Sequence, residues 1–268
     1  MSQEEKKKNS DRMMGFYDHL DELRIRLMRC LYAFVVGFGI CYSFADRMLG
    51  VLNKPLFDAL PADQRKLHAL NLFETFFTHL KISAYASLLL FAPYFFYQIW
   101  GFISPGLYER ERKLVVPFVG TATLFFLGGS AFAYFVLMPV GFKYFISYGG
   151  PDVMMMLTVA AYYDVCMKLL LLFGLAFELP VIICLLGYLG VVDAEILRKK
   201  RSFAIIAIAV VSALVAPPDA VSMLILIAPL VLMFEGSIWV VQWMGVKKKT
   251  RASHKEEPVD PLKGQSKP

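Results

Sequence analysis

Apolar residues run in six long stretches along the chain, separated by short breaks rich in charge, proline or glycine. A helix needs about 20 mostly apolar residues to cross a hydrocarbon core about 30 Å thick. The runs at 27–44, 82–103, 114–140 and 165–189 meet or approach that length, and the third is long enough to require tilt. The last two, 203–216 and 221–234, hold 14 residues each before "PPD" and Glu235 interrupt them. At 1.5 Å per residue each covers only about 21 Å. They form either a re-entrant pair or two short spans across a locally thinned bilayer. The second is preferred, because the basic stretches at 198–201 and 247–251 then share one side. The pattern predicts an all-α, polytopic membrane protein with six transmembrane helices, the last two short. A cytoplasmic segment, 1–26, precedes the membrane domain, 27–245, and a charged, proline-bearing tail, 246–268, is expected to be disordered.

Just before the first run, "FYDHLDELRIRL" at 16–27 has Phe16, Leu20, Leu23 and Leu27 spaced by four, three and four residues. That periodicity predicts an amphipathic helix with one apolar face. His19, Glu22 and Arg26 fall on a neighbouring polar stripe, expected to be solvated and held by a Glu22 to Arg26 pair one turn apart.

Composition agrees with the membrane assignment: 57% of residues are hydrophobic, 19% are charged, and the mean hydropathy is +0.55. The first apolar run follows a long charged segment and carries no small-residue cleavage site, so it is expected to remain as a span. The net charge is +6, and most of the 28 Lys and Arg residues fall in 1–29, 110–113, 198–201 and the tail. If all six runs cross, these stretches share one face, which predicts both termini in the cytoplasm. The opposite side then receives a loop of about 35 residues at 45–81, a second at 141–164 and a very short third. Aromatic clusters "FYQIW" and "WVVQW" close the second and sixth runs, where amphipathic rings favour the interface. Cys30, Cys41, Cys166 and Cys184 all lie in apolar runs and read as small core residues. The four histidines form no two-ligand helical motif, so no metal site is expected.

Three further segments carry candidate chemistry. In "FISPGLYERERK", 102–113, Pro105 and Gly106 make a turn after which Glu109 and Glu111 stand among Arg110, Arg112 and Lys113. Glu178 sits in the middle of an apolar run, where a charged side chain costs roughly 2.5 to 3.5 kcal/mol, so it must face protein, a polar cavity or water. Pro180 follows it and frees a backbone carbonyl one turn earlier. In "APPDAVS", 216–222, Pro217 and Pro218 end one helix and Asp219 stands where the next would be capped.

Taken in order, "HLDELRIRL", "FISPGLYERERK", "FELPV" and "PPD..S" resemble the TatC family, the multi-spanning receptor subunit of the twin-arginine protein translocase. The resemblance extends from about residue 16 to 245. It implies a cupped, concave helical bundle in the bacterial cytoplasmic membrane that binds twin-arginine signal peptides of folded precursors. It also implies recruitment of single-span TatA and TatB type partners, homo-oligomers within the receptor complex, and energy from the proton-motive force with no nucleotide or other cofactor. By position, Glu22 and Glu111 are then the acidic receptors for the arginine pair, with Leu23, Arg24 and Phe102 shaping the same patch. Glu178 and Pro180 belong to an intramembrane groove, while Pro218, Asp219, Ser222 and Met223 mark a turn that docks partners. The family commonly has Thr before the two prolines and Gln after the serine, whereas this chain has Ala216 and Met223. Two polar groups for holding partner helices are thereby missing.

Two other functional classes fit the sequence less well. A proton-coupled secondary transporter would use Glu178 as its ion site, but the chain lacks the internal repeats and paired broken helices of many such carriers. An intramembrane protease would need a G-x-S-x-G, an Asp pair or a zinc motif, and none is present.

Overall fold

A computed structural model describes residues 3–61, 65–103, 115–148, 156–188, 191–215 and 220–253. Their regular structure is helical apart from a single bridge between His68 and Thr158. The chain divides into two units, Met1–Glu178 and Leu179–Pro268.

In the first unit, α1 (Gln3–Tyr42) runs unbroken from the polar N-terminal segment into the first apolar run. The expected amphipathic helix is thus continuous with the span, but it packs the other way round. Leu20, Leu23 and Leu27 are exposed, with Leu27 at 65%, whereas the polar stripe lies against the neighbouring helix. In a membrane protein an exposed apolar face is the one suited to lipid, so hydrophobic periodicity marks the outside of the helix and not its packed side.

The stretch 45–81 is far from an open loop. It contains α2 (Ala45–Phe57), whose Leu52, Pro55 and Leu56 are buried, and the first turns of α3 (Glu74–Leu90). Tyrosines from later helices hold α2 down. Tyr134 Oη donates to Val51 O at 2.8 Å, Tyr163 Oη donates to Asn53 Oδ1 at 2.6 Å, and Tyr162 Oη donates to Leu52 O. The connection between α2 and α3 pairs with the start of α7 (Val159–Ala176) through His68 N to Leu157 O, 2.9 Å, and Val159 N to His68 O, 3.0 Å. The buried Glu74 carboxylate accepts from Leu70 N at 2.7 Å, from Asn71 N at 3.3 Å and from Ala160 N, so an acidic group sits at the positive end of α7.

Prolines set the breaks in the spans. α3 bends by 61° into α4 (Ala92–Ile103), where Pro93 has no N–H to offer Leu89 O. α5 (Val115–Phe132) passes through a π-helical stretch, Ala133–Leu137, into α6 (Met138–Tyr148). The missing N–H of Pro139 lies just beyond that wide turn. The helices meet where small residues let backbones approach. A Cβ on Gly129 would stand 2.2 Å from Phe173 O, and one on Gly174 would stand 2.8 Å from Ser130 Oγ. Ser130 Oγ donates to Leu170 O at 3.2 Å and accepts from Tyr85 Oη at 2.9 Å, tying α3, α5 and α7 together. At the α1–α3 contact, Ser87 Oγ donates to Phe34 O at 2.9 Å beneath Gly37. Trp100 corrects the aromatic-belt reading of "FYQIW": it is 1% exposed and stacks on Phe118 at 4.2 Å.

The second unit contains α8 (Glu178–Tyr188), which shares its first residue with the unit boundary, then α9 (Ala194–Lys199), α10 (Arg201–Val215) and α11 (Ala220–Ser253). α10 has the expected short length. α11 does not end at Glu235, and its apolar part, Met223–Trp243, is 21 residues long, enough to cross a bilayer. Glu235 is not a stop because Arg201 Nη2 donates to it at 2.6 Å, which neutralises it beside the next apolar run. Trp239 and Trp243 are 72% and 62% exposed, as suits the water–lipid boundary. By length and composition four described helices can cross a membrane, or five if the bent α3–α4 pair is one span, with α10 a shorter apolar helix.

Two outcomes follow from this packing. Gly129→Ala should destabilise the detergent-solubilised protein by about 1–3 kcal/mol, as overpacking against a backbone carbonyl does. Gly128→Ala, one residue away with nothing within 4 Å of its Cβ position, should leave the melting temperature unchanged or raise it. Equal melting temperatures for the two variants would contradict the close crossing. Glu74→Ala should speed amide exchange at Leu70, Asn71 and Ala160 by on the order of tenfold while α5 stays protected. Hydrogen exchange resolved by peptide mass reads this directly.

Candidate functional site

The polar end of α1 builds the first site. His19, Glu22 and Arg26 are three and four residues apart, so helical geometry stacks them on one face. On α4, Gln98 opposes them together with Gly101 and Phe102, which lie three and four residues after it on the same face. His19 stacks on Phe102 with ring centroids 4.3 Å apart and planes 12° from parallel. Arg26 donates to Glu22 Oε1 through both Nε, at 2.9 Å, and Nη2, at 2.6 Å. Its third contact, Nη1 to Gln98 Oε1 at 3.3 Å, crosses to α4. The guanidinium passes directly over Gly101, where a Cβ would stand 2.1 Å from Nη1, so only glycine leaves room for it. Glu22 Oε2 takes neither of these bonds and lies 4.0 Å from His19 Nδ1.

Of the residues expected at this patch, Glu22 and Phe102 share one cluster, with Leu23 beside it and exposed. Arg24, two positions and thus about 200° from Glu22, lies on the far side of α1, in a shallow groove with Asp21, Ile25, Met28, Arg29 and Tyr32. Glu111 is outside the described residues. Gln98, Gly101 and His19 join the cluster beyond the residues expected there. Gln98 could have been found, since it is the sole amide in the apolar run 82–103 and is buried.

Glu178 is the second site. α7 ends at Ala176, Phe177 forms a turn, and Glu178 opens α8. Pro180 lacks the N–H that would bind Ala176 O, which places the break two residues before Glu178. Glu178 is 6% exposed, and its Oε1 has no hydrogen-bond partner among the described residues. An orphaned carboxyl oxygen inside an apolar span is a place where a polar group can be received.

In the third segment, Pro218 and Asp219 are outside the described residues. Ser222 and Met223 lie in the first turn of α11, and Met223 is half-buried.

Proteins of similar sequence and structure are known. The family model described as Sec-independent protein translocase protein (TatC) matches residues 18–229. The protein of that name from Desulforapulum autotrophicum is 37% identical over 260 residues, covering 97% of this chain and 94% of its own. That of Escherichia coli strain K12 is 37% identical over 233 residues, 87% of this chain and 90% of its own. A crystal structure of the twin arginine translocase receptor TatC superposes with a TM-score of 0.76 at 32% identity, over 84% of this chain and 98% of that one. The chain belongs to the TatC family of Sec-independent protein translocase components.

Proposed function

We propose that this chain is the receptor subunit of a twin-arginine translocase, capturing the paired arginines of signal peptides with Glu22 and Glu111 acting jointly. It is a multi-pass protein of the bacterial inner membrane with a transport role. One observation carries the proposal: Glu22, on the cluster with Phe102, already holds a guanidinium, that of Arg26, by two charge-assisted bonds. The Glu22 carboxylate thus already binds the kind of group it would recognise. A second carboxylate at Glu111, in the segment of sequence after α4, would supply the partner for the second arginine. Guanidinium pairs in a fork with carboxylates, whereas a lysine ammonium is a point charge, so a two-carboxylate site favours Arg-Arg over Lys-Lys. The receptor named in the similar crystal structure supports the same role.

The remaining parts of the proposal follow the family. Six spans place both termini in the cytoplasm, α10 being the short fifth. The bundle is cupped, and Glu178 with Pro180 lines its intramembrane groove. The segment with Pro218 and Asp219, together with Ser222 and Met223, docks single-span TatA and TatB type subunits, the chain assembles with further copies of itself, and the proton-motive force supplies the energy. Ala216 and Met223 make that docking less polar than is usual in the family.

Binding of a fluorescent twin-arginine signal peptide to the purified protein tests the receptor role. Glu22→Gln and Glu111→Gln are each expected to weaken it by roughly 10- to 100-fold, the value of one charge-assisted bond. Unchanged affinity in either variant would refute joint action. Topology has its own test in a variant with the four native cysteines replaced by alanine. Leu70→Cys should react with an impermeant maleimide added outside intact cells, and Lys199→Cys only after permeabilisation. The reverse pattern would invert the orientation.

A further inference from the structure

Arg26 occupies the carboxylate that the proposed receptor would offer to its ligand, and this bears on how the site chooses between cations. A free carboxylate attracts any positive charge. Both bonds from Arg26 end on Glu22 Oε1, leaving Oε2 with no bond from that guanidinium. The pair is close to neutral as a unit, so its long-range pull on an incoming cation is largely cancelled, while the directional lone pairs of Oε2 remain. An ammonium gains mainly from charge. A guanidinium gains from directional, in-plane bonds and keeps more of its affinity when charge is discounted.

We infer that Arg26, held by Gln98 over Gly101, is a specificity-determining residue that removes the charge-only part of Glu22's attraction and so makes the site reject lysine. This rests on the reading of Glu22 as a signal-peptide receptor and goes beyond it by assigning the discrimination to a third residue. Specificity then arises from a repulsive element, the like charge of Arg26, as much as from the attractive one. The geometry is built for the purpose in three respects. Gly101 leaves space for the guanidinium, Gln98 Oε1 fixes its outer nitrogen, and the His19–Phe102 stack locks α1 against α4 beside it.

The test measures affinities of twin-arginine and twin-lysine signal peptides for the full chain and its Arg26→Gln, Arg26→Lys, Gly101→Ala and Glu22→Gln variants. Arg26→Gln should lower the Arg-over-Lys preference by about tenfold, chiefly through tighter twin-lysine binding, as expected for one removed charge-assisted pair. Its binding should also fall more steeply with salt, because an uncancelled charge is screened. Arg26→Lys keeps the cancelling charge and should retain most of the preference. Gly101→Ala pushes the guanidinium aside without deleting any charge and should relax the preference in the same direction, which keeps the test open if Arg26→Gln does not fold. An unchanged preference in both Arg26→Gln and Gly101→Ala, or equal weakening of both peptides, would overturn the assignment. A Glu22→Gln variant that binds both peptides like the parent would instead refute the receptor reading itself.

Discussion

Inside a bilayer there is no water to satisfy a polar group, and the arrangement of this chain follows from that constraint. Several hydroxyls in the spans return to carbonyls, while those of Thr123 and Ser212 are buried without a partner among the described residues. Thr78 bonds Glu74 O, Ser83 bonds His79 O and Ser237 bonds Met233 O within their own helices. Ser87 and Ser130 instead reach a neighbouring helix, at Phe34 O and Leu170 O. These two cross-helix bonds occur where Gly37, Gly129 and Gly174 let the helices close in, so small residues and hydroxyls act together. Burial of apolar area contributes little between helices already surrounded by lipid, which is why packing falls to such contacts.

Much of this fold is legible in the sequence because the bilayer enforces one strong rule on length and hydropathy. The first four apolar runs each match a described helix or bent helix pair, and the prolines mark their breaks. Two features escaped it. Glu235 reads as the end of an apolar run, but its pairing with Arg201 joins residues 34 positions apart, a relation that no local window contains. Likewise 45–81 reads as loop because its order comes from tyrosines and a carboxylate acting across the chain, among them Tyr134, Tyr162 and Glu74.

The site is legible in a different measure. Glu178 stands out because it breaks an apolar run, and the Glu22–Arg26 pair follows from helical spacing alone, whereas Glu22 and Phe102 as site residues come from the family resemblance. Periodicity misplaced that pair's surroundings. It treats the apolar side of a helix as the packed side, which holds in water, where burial drives folding. In lipid the apolar side faces outward, and a polar stripe must find protein. His19, Glu22 and Arg26 therefore face α4, and the residues that receive them, Gln98 and Gly101, are invisible to any rule that searches for apolar partners.

That inversion also explains why a partly solvated ion pair can form at the end of a span. A polar group turned inward at mid-membrane is costly to leave unpaired, by several kcal/mol. Near the end of the apolar span, which begins at His19, water is at hand and partial satisfaction becomes affordable. Arg26 is 21% exposed and Glu22 33%, values between a buried pair and a solvated one. At that depth the pair is dry enough for direction to matter and wet enough for a carboxylate oxygen to stay open to a ligand. Glu178 lacks this graded setting. Its oxygen is buried with no bond among the described residues, so whatever meets it must bring the polar group along. The two acidic residues thus differ in kind: one is poised at the boundary by a cation of its own chain, and the other is held open inside the span.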